Sequence, residues 1–294
     1  MKQPPYHISI PQNLMDLLSL YRKNPASLLM AGGTHLLNHT LNREGEHYSI
    51  LSLTQLEELQ KISRTDRYAE AGCCVTINRM IETAYIFRSP LLQDTLCQMG
   101  PYPIRNSATV GGNLCIPGRR KDLFPVLQLL DTRVEIRYVK PKRNKRMSMK
   151  SRWIHINNLL SHDGEINLAE GEMITRVRIP YYDGNFTFHR KVNIKDDFYL
   201  SVNCLATIEK GVLSDIRLIF TNEEKLIIRN RDIEANLLGR RFPLGKKDHD
   251  QLMGNLSHFY MPNENPYETY LIRNLFRQLL ESLADPPENL QGTW

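Results

Sequence analysis

Residues 27–31 form a short apolar run that ends in Gly32-Gly33, with Thr34 and a helical pattern directly behind it. A strand that must turn at once into a helix needs residues free to adopt positive φ and to let another group come close, and glycine supplies both. This strand, turn, helix unit predicts an α/β beginning to the fold. A second pair, Gly111-Gly112, stands in Arg105-Asn106-Ser107-Ala108-Thr109-Val110-Gly111-Gly112-Asn113-Leu114-Cys115. Two glycine loops flanked by hydroxyl and amide side chains suggest one polyanion held from two sides, because convergent backbone N–H groups bind phosphate without charged side chains. Neither loop is G-x-G-x-x-G or G-x-x-x-x-G-K-[ST], and a single Gly-Gly is more often a plain tight turn.

At 294 residues, 41% hydrophobic and 24% charged, the chain has the composition of a globular protein of one large or two ordinary domains. No apolar run approaches the ~18 residues of a membrane span, and no apolar signal core follows Met1-Lys2-Gln3-Pro4-Pro5, so a cytoplasmic location is expected. The five cysteines (Cys73, Cys74, Cys97, Cys115, Cys204) include no C-x-x-C pair, and the histidines show no H-E-x-x-H spacing. An iron–sulfur cluster, structural zinc or catalytic metal held by this chain is therefore not expected, and the adjacent Cys73-Cys74 reads as a buried thiol pair rather than a redox couple.

The periodicity predicts an opening strand at 6–10, Pro11 at a first helical position, and a helix whose apolar face is Leu14, Leu17, Leu18 and Tyr21. Asn24-Pro25 ends that helix, and Thr34 is placed to cap another that runs to about Leu41. Strands follow at 48–53 and 67–71, a helical pattern at 76–99 stopped by Gly100-Pro101, a helix at 122–130, and a half-exposed strand on Val134, Ile136 and Tyr138. Residues 137–152 read as a basic hairpin loop, and 153–160 and 173–179 as strands. Pro180-Tyr181-Tyr182-Asp183-Gly184 is the best boundary. Beyond it, alternation at Val202, Cys204, Ala206 and Ile208, a Lys210-Gly211 turn and a strand on Ile216, Leu218 and Phe220 give a small sheet. Helices come last, one with the face Leu226, Asn230, Ile233 and Leu237 closed by Gly239, another opened by the capping-box pattern Asn265-Pro266-x-Glu268 before Leu271, Leu275, Leu279 and Leu283.

The two glycine runs together with Asp122-Leu123-x-Pro125, Gly171-Glu172-Met173-Ile174, Ile179-Pro180 and residues 191–208 resemble the FAD-binding (medium) subunit of the molybdenum hydroxylases, the xanthine dehydrogenase and carbon monoxide dehydrogenase type. The resemblance covers nearly the whole chain. It implies an α+β fold: a two-subdomain FAD-binding domain of the molybdopterin dehydrogenase or vanillyl-alcohol-oxidase-like type over 1–180, split near 55–65, and a C-terminal small sheet with helices over 181–294. It implies that Ala31, Gly32, Gly33, Thr34 and Leu36 line one diphosphate loop of the FAD and Thr109, Gly111, Gly112 and Asn113 the other. By the same match Asp122 helps hold the adenosine side, Ile174 lies near the isoalloxazine ring and Lys191 near the ring's polar edge. A side chain at Gly112 would then fill diphosphate space.

The implied activity is that of an FAD-dependent oxidoreductase subunit, active in complex. Electrons from a molybdenum-cofactor large subunit would pass through a 2Fe-2S small subunit to FAD, and on to NAD or another acceptor. Two alternatives stand: a self-contained flavin-dependent oxidoreductase, and a non-catalytic assembly subunit that has lost FAD. Cys115-Ile116-Pro117-Gly118-Arg119-Arg120-Lys121 departs from the family, which carries a Ser-containing loop there, and Ile194-Lys195 and Tyr199 depart near where NAD meets the flavin. Between Arg137 and Arg152 there are eight basic residues and no acidic one, part of a net charge of +6. A solvated loop, a docking surface for an acidic partner subunit and a nucleic-acid contact are the three readings; without an aromatic platform or a known nucleic-acid fold, no nucleic-acid partner is expected.

Overall fold

The computed structural model describes residues 6–39, 48–116, 123–142, 146–161, 165–194, 198–222, 229–259 and 266–285. The chain divides into two compact units, Met1–Arg88 with Leu96–Tyr181, and Ser89–Thr95 with Tyr182–Trp294.

The first unit holds two sheets. Strands β1 (Tyr6–Ser9), β2 (Leu28–Met30) and β3 (Tyr48–Ser52) pair in parallel in the order β1-β3-β2. The crossover from β1 to β2 carries the helix Leu14–Lys23, which buries Leu14, Leu17 and Leu18. Pro11 is not its first residue. Asn13 keeps an extended backbone and its side chain accepts from the Asp16 N–H at 2.9 Å, so the N-cap fixes the start. Asn13→Ala is expected to lower the stability of the chain by about 1 kcal/mol in denaturant unfolding.

The second sheet is antiparallel, β4 (Ile62–Arg64), β5 (Tyr68–Gly72), β6 (Arg133–Pro141), β7 (Met147–His155) and β8 (Met173–Pro180) in the order β4-β5-β8-β6-β7. Alternation sends Ala69, Ala71, Val134, Ile136, Val177 and Ile179 into the core. The intervening positions carry Glu70, Glu135, Arg137, Arg176 and Arg178, linked to one another and to Glu58 by ion pairs. Three differences from the sequence pattern have local causes. Residues 76–99 make three helices, Ile77–Glu82, Ala84–Phe87 and Pro90–Cys97, because Arg88 at φ 48° breaks the run before Pro90. The half of the basic stretch expected as loop is strand, with Lys150 and Arg152 inside β7, and β7 gives way after His155 to the single turn Ile156–Asn158. Tyr102–Ser107 is a helix that no apolar periodicity announces, since none of its residues is buried.

In the second unit β9 (Phe186–Ile194), β10 (Phe198–Glu209) and β11 (Val212–Asn222) form an antiparallel sheet in the order β11-β10-β9. Its core face, with Val202, Cys204 and Ala206, packs on the helices Arg231–Leu237, Lys246–Phe259 and Pro266–Ala284 through residues such as Ile233, Leu252, Phe276 and Leu279. Asn230, read from the sequence as part of a helix face, is instead the N-cap, accepting from the Asp232 N–H at 2.8 Å. In this unit the sheet is followed by segregated helices, the α+β pattern.

Candidate functional site

Each glycine loop is anchored to its own sheet of the first unit. The first leaves the end of β2 as Ala31-Gly32-Gly33-Thr34-His35 and enters the helix Leu36–His39. Gly33 sits at φ +71°, which a residue with a side chain adopts only under strain. The N–H groups of Gly32, Gly33 and Thr34 find no acceptor among the described residues. Thr34, expected as a helix cap, makes no capping bond among the described residues, and its hydroxyl is available at the loop.

The second loop is stitched to the chain that follows β5. Cys73 N–H donates to the Thr175 carbonyl of β8 at 2.9 Å, and the Cys73 carbonyl accepts from Gly111 at 2.8 Å. Val110 donates to Val75 at 3.0 Å and Ile77 to Ala108 at 2.9 Å. Here the residues around Gly111-Gly112 are helical, Val110–Leu114, with Thr109 as N-cap accepting from the Gly112 N–H at 3.1 Å and its carbonyl accepting from Asn113 at 2.9 Å. The N–H groups of 110–113 are thus all spent internally. The second loop offers side chains, the Thr109 hydroxyl proton and the Asn113 amide, rather than the backbone donors its glycines suggest. Asn113 Oδ1 is buried with no partner among the described residues.

The glycines of the two loops serve contact between chain segments. A Cβ on Gly32 would lie 1.6 Å from the Ser107 carbonyl oxygen, and one on Gly111 would lie 2.5 Å from Cys73 Cβ. A Cβ on Gly112 would meet Thr109 Oγ1 at 2.9 Å, so a side chain there strikes the helix cap before it strikes any ligand. Arg105 has a comparable supporting role: its Nη1 donates to the carbonyls of Gly100 at 2.7 Å and Cys97 at 3.2 Å, placing a cation at the end of the helix Pro90–Cys97 and fixing the approach to the loop.

Where the loops meet, the first unit contains a cavity of about 690 Å³, within the roughly 300–1,000 Å³ range of small-molecule sites. Ala31, Gly32, Gly33, Thr34, Leu36, Thr109, Gly111, Gly112, Asn113 and Ile174 all line it, Ile174 being buried on β8. Asp122 lies outside the described residues, and Lys191 is on β9 in the second unit, paired with Ser201. Tyr21, Cys73, Met173, Glu170 and Glu172 also line the cavity and were not among the site residues expected from the sequence. Tyr21 had a signal, an aromatic in the last turn of an apolar helix stripe; the others reach the wall only through tertiary packing.

The wall carries its charge selectively. Burial, with the neighbouring Cys115 and Glu170, pushes the Tyr21 phenol up and keeps it protonated. The Cys73 thiol is likewise raised by its contact with Cys74 (Sγ to Sγ 3.9 Å) and by burial; both cysteines are buried and free. Bidentate hydrogen bonding from Arg152, at 3.2 and 2.7 Å, holds Glu172 below the usual carboxylate range. That pair therefore contributes above the ordinary carboxylate pKa and is lost as the pH falls through the lower, folded value.

A family model described as the FAD binding domain in molybdopterin dehydrogenase matches residues 4–182, which is most of the chain and ends where the first unit ends. The chain belongs to this family. It is similar to the xanthine dehydrogenase FAD-binding subunit of Escherichia coli O157:H7, 26% identical over 214 residues that cover 70% of each chain. It is also similar to the glyceraldehyde dehydrogenase medium chain of Sulfolobus acidocaldarius, 22% identical over 244 residues, 82% of this chain and 84% of that one. Among solved structures it matches reconstituted CO dehydrogenase from Oligotropha carboxidovorans with a TM-score of 0.79 at 17% identity, over 98% of this chain and 100% of that one. Quinoline 2-oxidoreductase from Pseudomonas putida 86 matches with a TM-score of 0.78 at 18% identity over 97% of each chain. As a member of the family this chain is an FAD-binding domain with the medium-subunit fold.

The residues present fit that cofactor. Three N–H groups without acceptors and a threonine hydroxyl on one loop, and a buried unpaired amide oxygen on the other, are hydrogen-bonding capacity that a diphosphate and its ribityl or ribose hydroxyls can satisfy.

Proposed function

We propose that this chain is the flavin-carrying electron-transfer subunit of a multi-subunit molybdenum hydroxylase. It takes electrons from iron–sulfur centres on a partner chain and passes them to NAD or another acceptor, while the oxidation of substrate occurs on a molybdenum-cofactor chain. The observation that carries the reading is the pairing of N–H donors at Gly32, Gly33 and Thr34 with the unpartnered Asn113 amide in one cavity.

Bound FAD supplies two-electron and one-electron redox chemistry; the protein supplies binding, orientation and exclusion of water. Gly32, Gly33 and Thr34 would neutralise diphosphate oxygens through backbone N–H groups, with the Thr34 hydroxyl adding a donor. Asn113 Nδ2 would donate to the same group, leaving Oδ1 to accept from a cofactor hydroxyl. Ile174 and Met173, both buried on β8, give that part of the wall an apolar surface suited to a ring system. Asp122 would hold the adenosine side, as the sequence resemblance implies.

Quenching of flavin fluorescence on titration with protein tests the site. Asn113→Ala is expected to weaken FAD binding by about tenfold to a hundredfold, the loss of one or two hydrogen bonds in a buried setting. An unchanged affinity would remove Asn113 from the site, and no quenching with the parent chain would remove the function.

A further inference from the structure

The β6–β7 hairpin has a use that FAD binding does not explain. Of its basic residues, Arg137 is neutralised by Glu58 and Glu135, and Arg152 by Glu172. Lys140, Lys142 and Lys150 are exposed and form no ion pair among the described residues; Lys140 extends over the Tyr138 ring at 5.2 Å. Among the described residues β7 is an edge strand that pairs only with β6, and its residues 149–152 are all exposed. Their outward backbone groups are bonded to nothing among the described residues. Met149, 37% exposed, supplies an apolar contact in the middle of this edge.

We infer that the β7 edge docks an acidic, extended segment of a partner subunit, added to the sheet as a further strand. An open edge gives main-chain hydrogen bonds to any incoming strand, so selectivity must come from side chains. Lys150 on the edge strand, with the exposed Lys140 and Lys142 on the β6 side of the same hairpin, repels a basic strand and attracts one rich in Asp and Glu. A peptide edge matches a peptide better than a nucleic acid, because its bonding groups repeat at strand spacing and no base-stacking ring stands free beside them. This inference rests on the subunit reading above.

The test uses the full chain co-expressed with the molybdenum-cofactor and iron–sulfur chains that the subunit reading calls for, compared with the variant K140E/K142E/K150E. These three surface residues lie outside the FAD cavity. The parent complex is expected to weaken between about 50 and about 300 mM salt. The variant is expected to bind its partners at least about tenfold more weakly while holding the same FAD per chain. A variant complex as tight and as salt-sensitive as the parent would overturn the docking edge and leave the subunit reading intact. No complex with the parent chain would overturn both. Equal charge-dependent binding of the parent to a random DNA duplex or to phosphatidylserine vesicles would assign the edge to that anion and overturn the acidic-segment proposal.

Discussion

Gly32→Ala is expected to abolish measurable FAD binding and to cost about 3 kcal/mol of stability, at the upper end of ordinary overpacking. The new methyl would sit 1.6 Å from the Ser107 carbonyl oxygen and 3.3 Å from the Ala108 nitrogen, both of them backbone atoms that cannot swing aside. Relief requires the first glycine loop to move away from the second, and that separates the N–H donors of 32–34 from Asn113. Gly254→Ala is the control, because a Cβ there meets nothing within 4 Å and lies in the helix Lys246–Phe259. It is expected to leave FAD binding unchanged and to stabilise the chain by about 0.5–1 kcal/mol. Denaturant unfolding and flavin quenching read both. A Gly32→Ala protein that binds FAD like the parent would show that the loops need not touch.

The second large effect is expected at residues that do not line the cavity, on the polar face of the five-stranded sheet. The Arg178 guanidinium lies between the rings of Tyr68, at 4.3 Å, and Trp153, at 4.0 Å, and donates from Nε to Glu70 Oε1 at 2.7 Å. Glu70 is only 7% exposed, so Arg178→Ala leaves a buried carboxylate with Arg176 alone, at 3.3 Å, and removes the plate between two aromatic rings. The expected loss is about 3 kcal/mol, mostly the cost of stranding Glu70. Pairing the change with Glu70→Gln is expected to recover part of it, because the double variant no longer buries an unmatched charge. Full additivity in thermal unfolding would mean that the two side chains act independently.

How much of this was legible beforehand varies with the range of the interaction. The strand, Gly-Gly, helix unit at 27–39 and the apolar alternation of β8 and β10 were readable because each depends on neighbours two to four residues away. Asn13 and Asn230 as caps were missed for a different reason. Both are followed by helices whose apolar stripes look as though they begin earlier, and only the extended backbone at the asparagine shows which residue stops the helix. The second glycine loop is the plainest case. Thr109-Val110-Gly111-Gly112-Asn113 is specific enough to carry the family resemblance, yet its backbone N–H groups point to Cys73, Val75 and Thr109 rather than to a ligand.

The family resemblance and the α+β class were thus legible in the sequence, because the glycine runs with their flanking residues and alternation at period two are local patterns; the two glycine loops were legible as cavity wall, but Tyr21, Cys73, Glu170, Glu172 and Met173 were not. The division of labour between the loops was decided only by tertiary structure. Gly32 is required because Ser107 packs against it and Gly111 because Cys73 does, and the second loop offers the Asn113 amide rather than backbone donors because the N–H groups of Val110 and Gly111 are consumed by a segment more than thirty residues away and those of Gly112 and Asn113 by the Thr109 cap. The physical reason is that a hydrogen-bond donor is available to a ligand only when nothing else in the folded chain has claimed it, and the claims of Cys73 and Val75 are long-range contacts that the stretch 109–113 does not display.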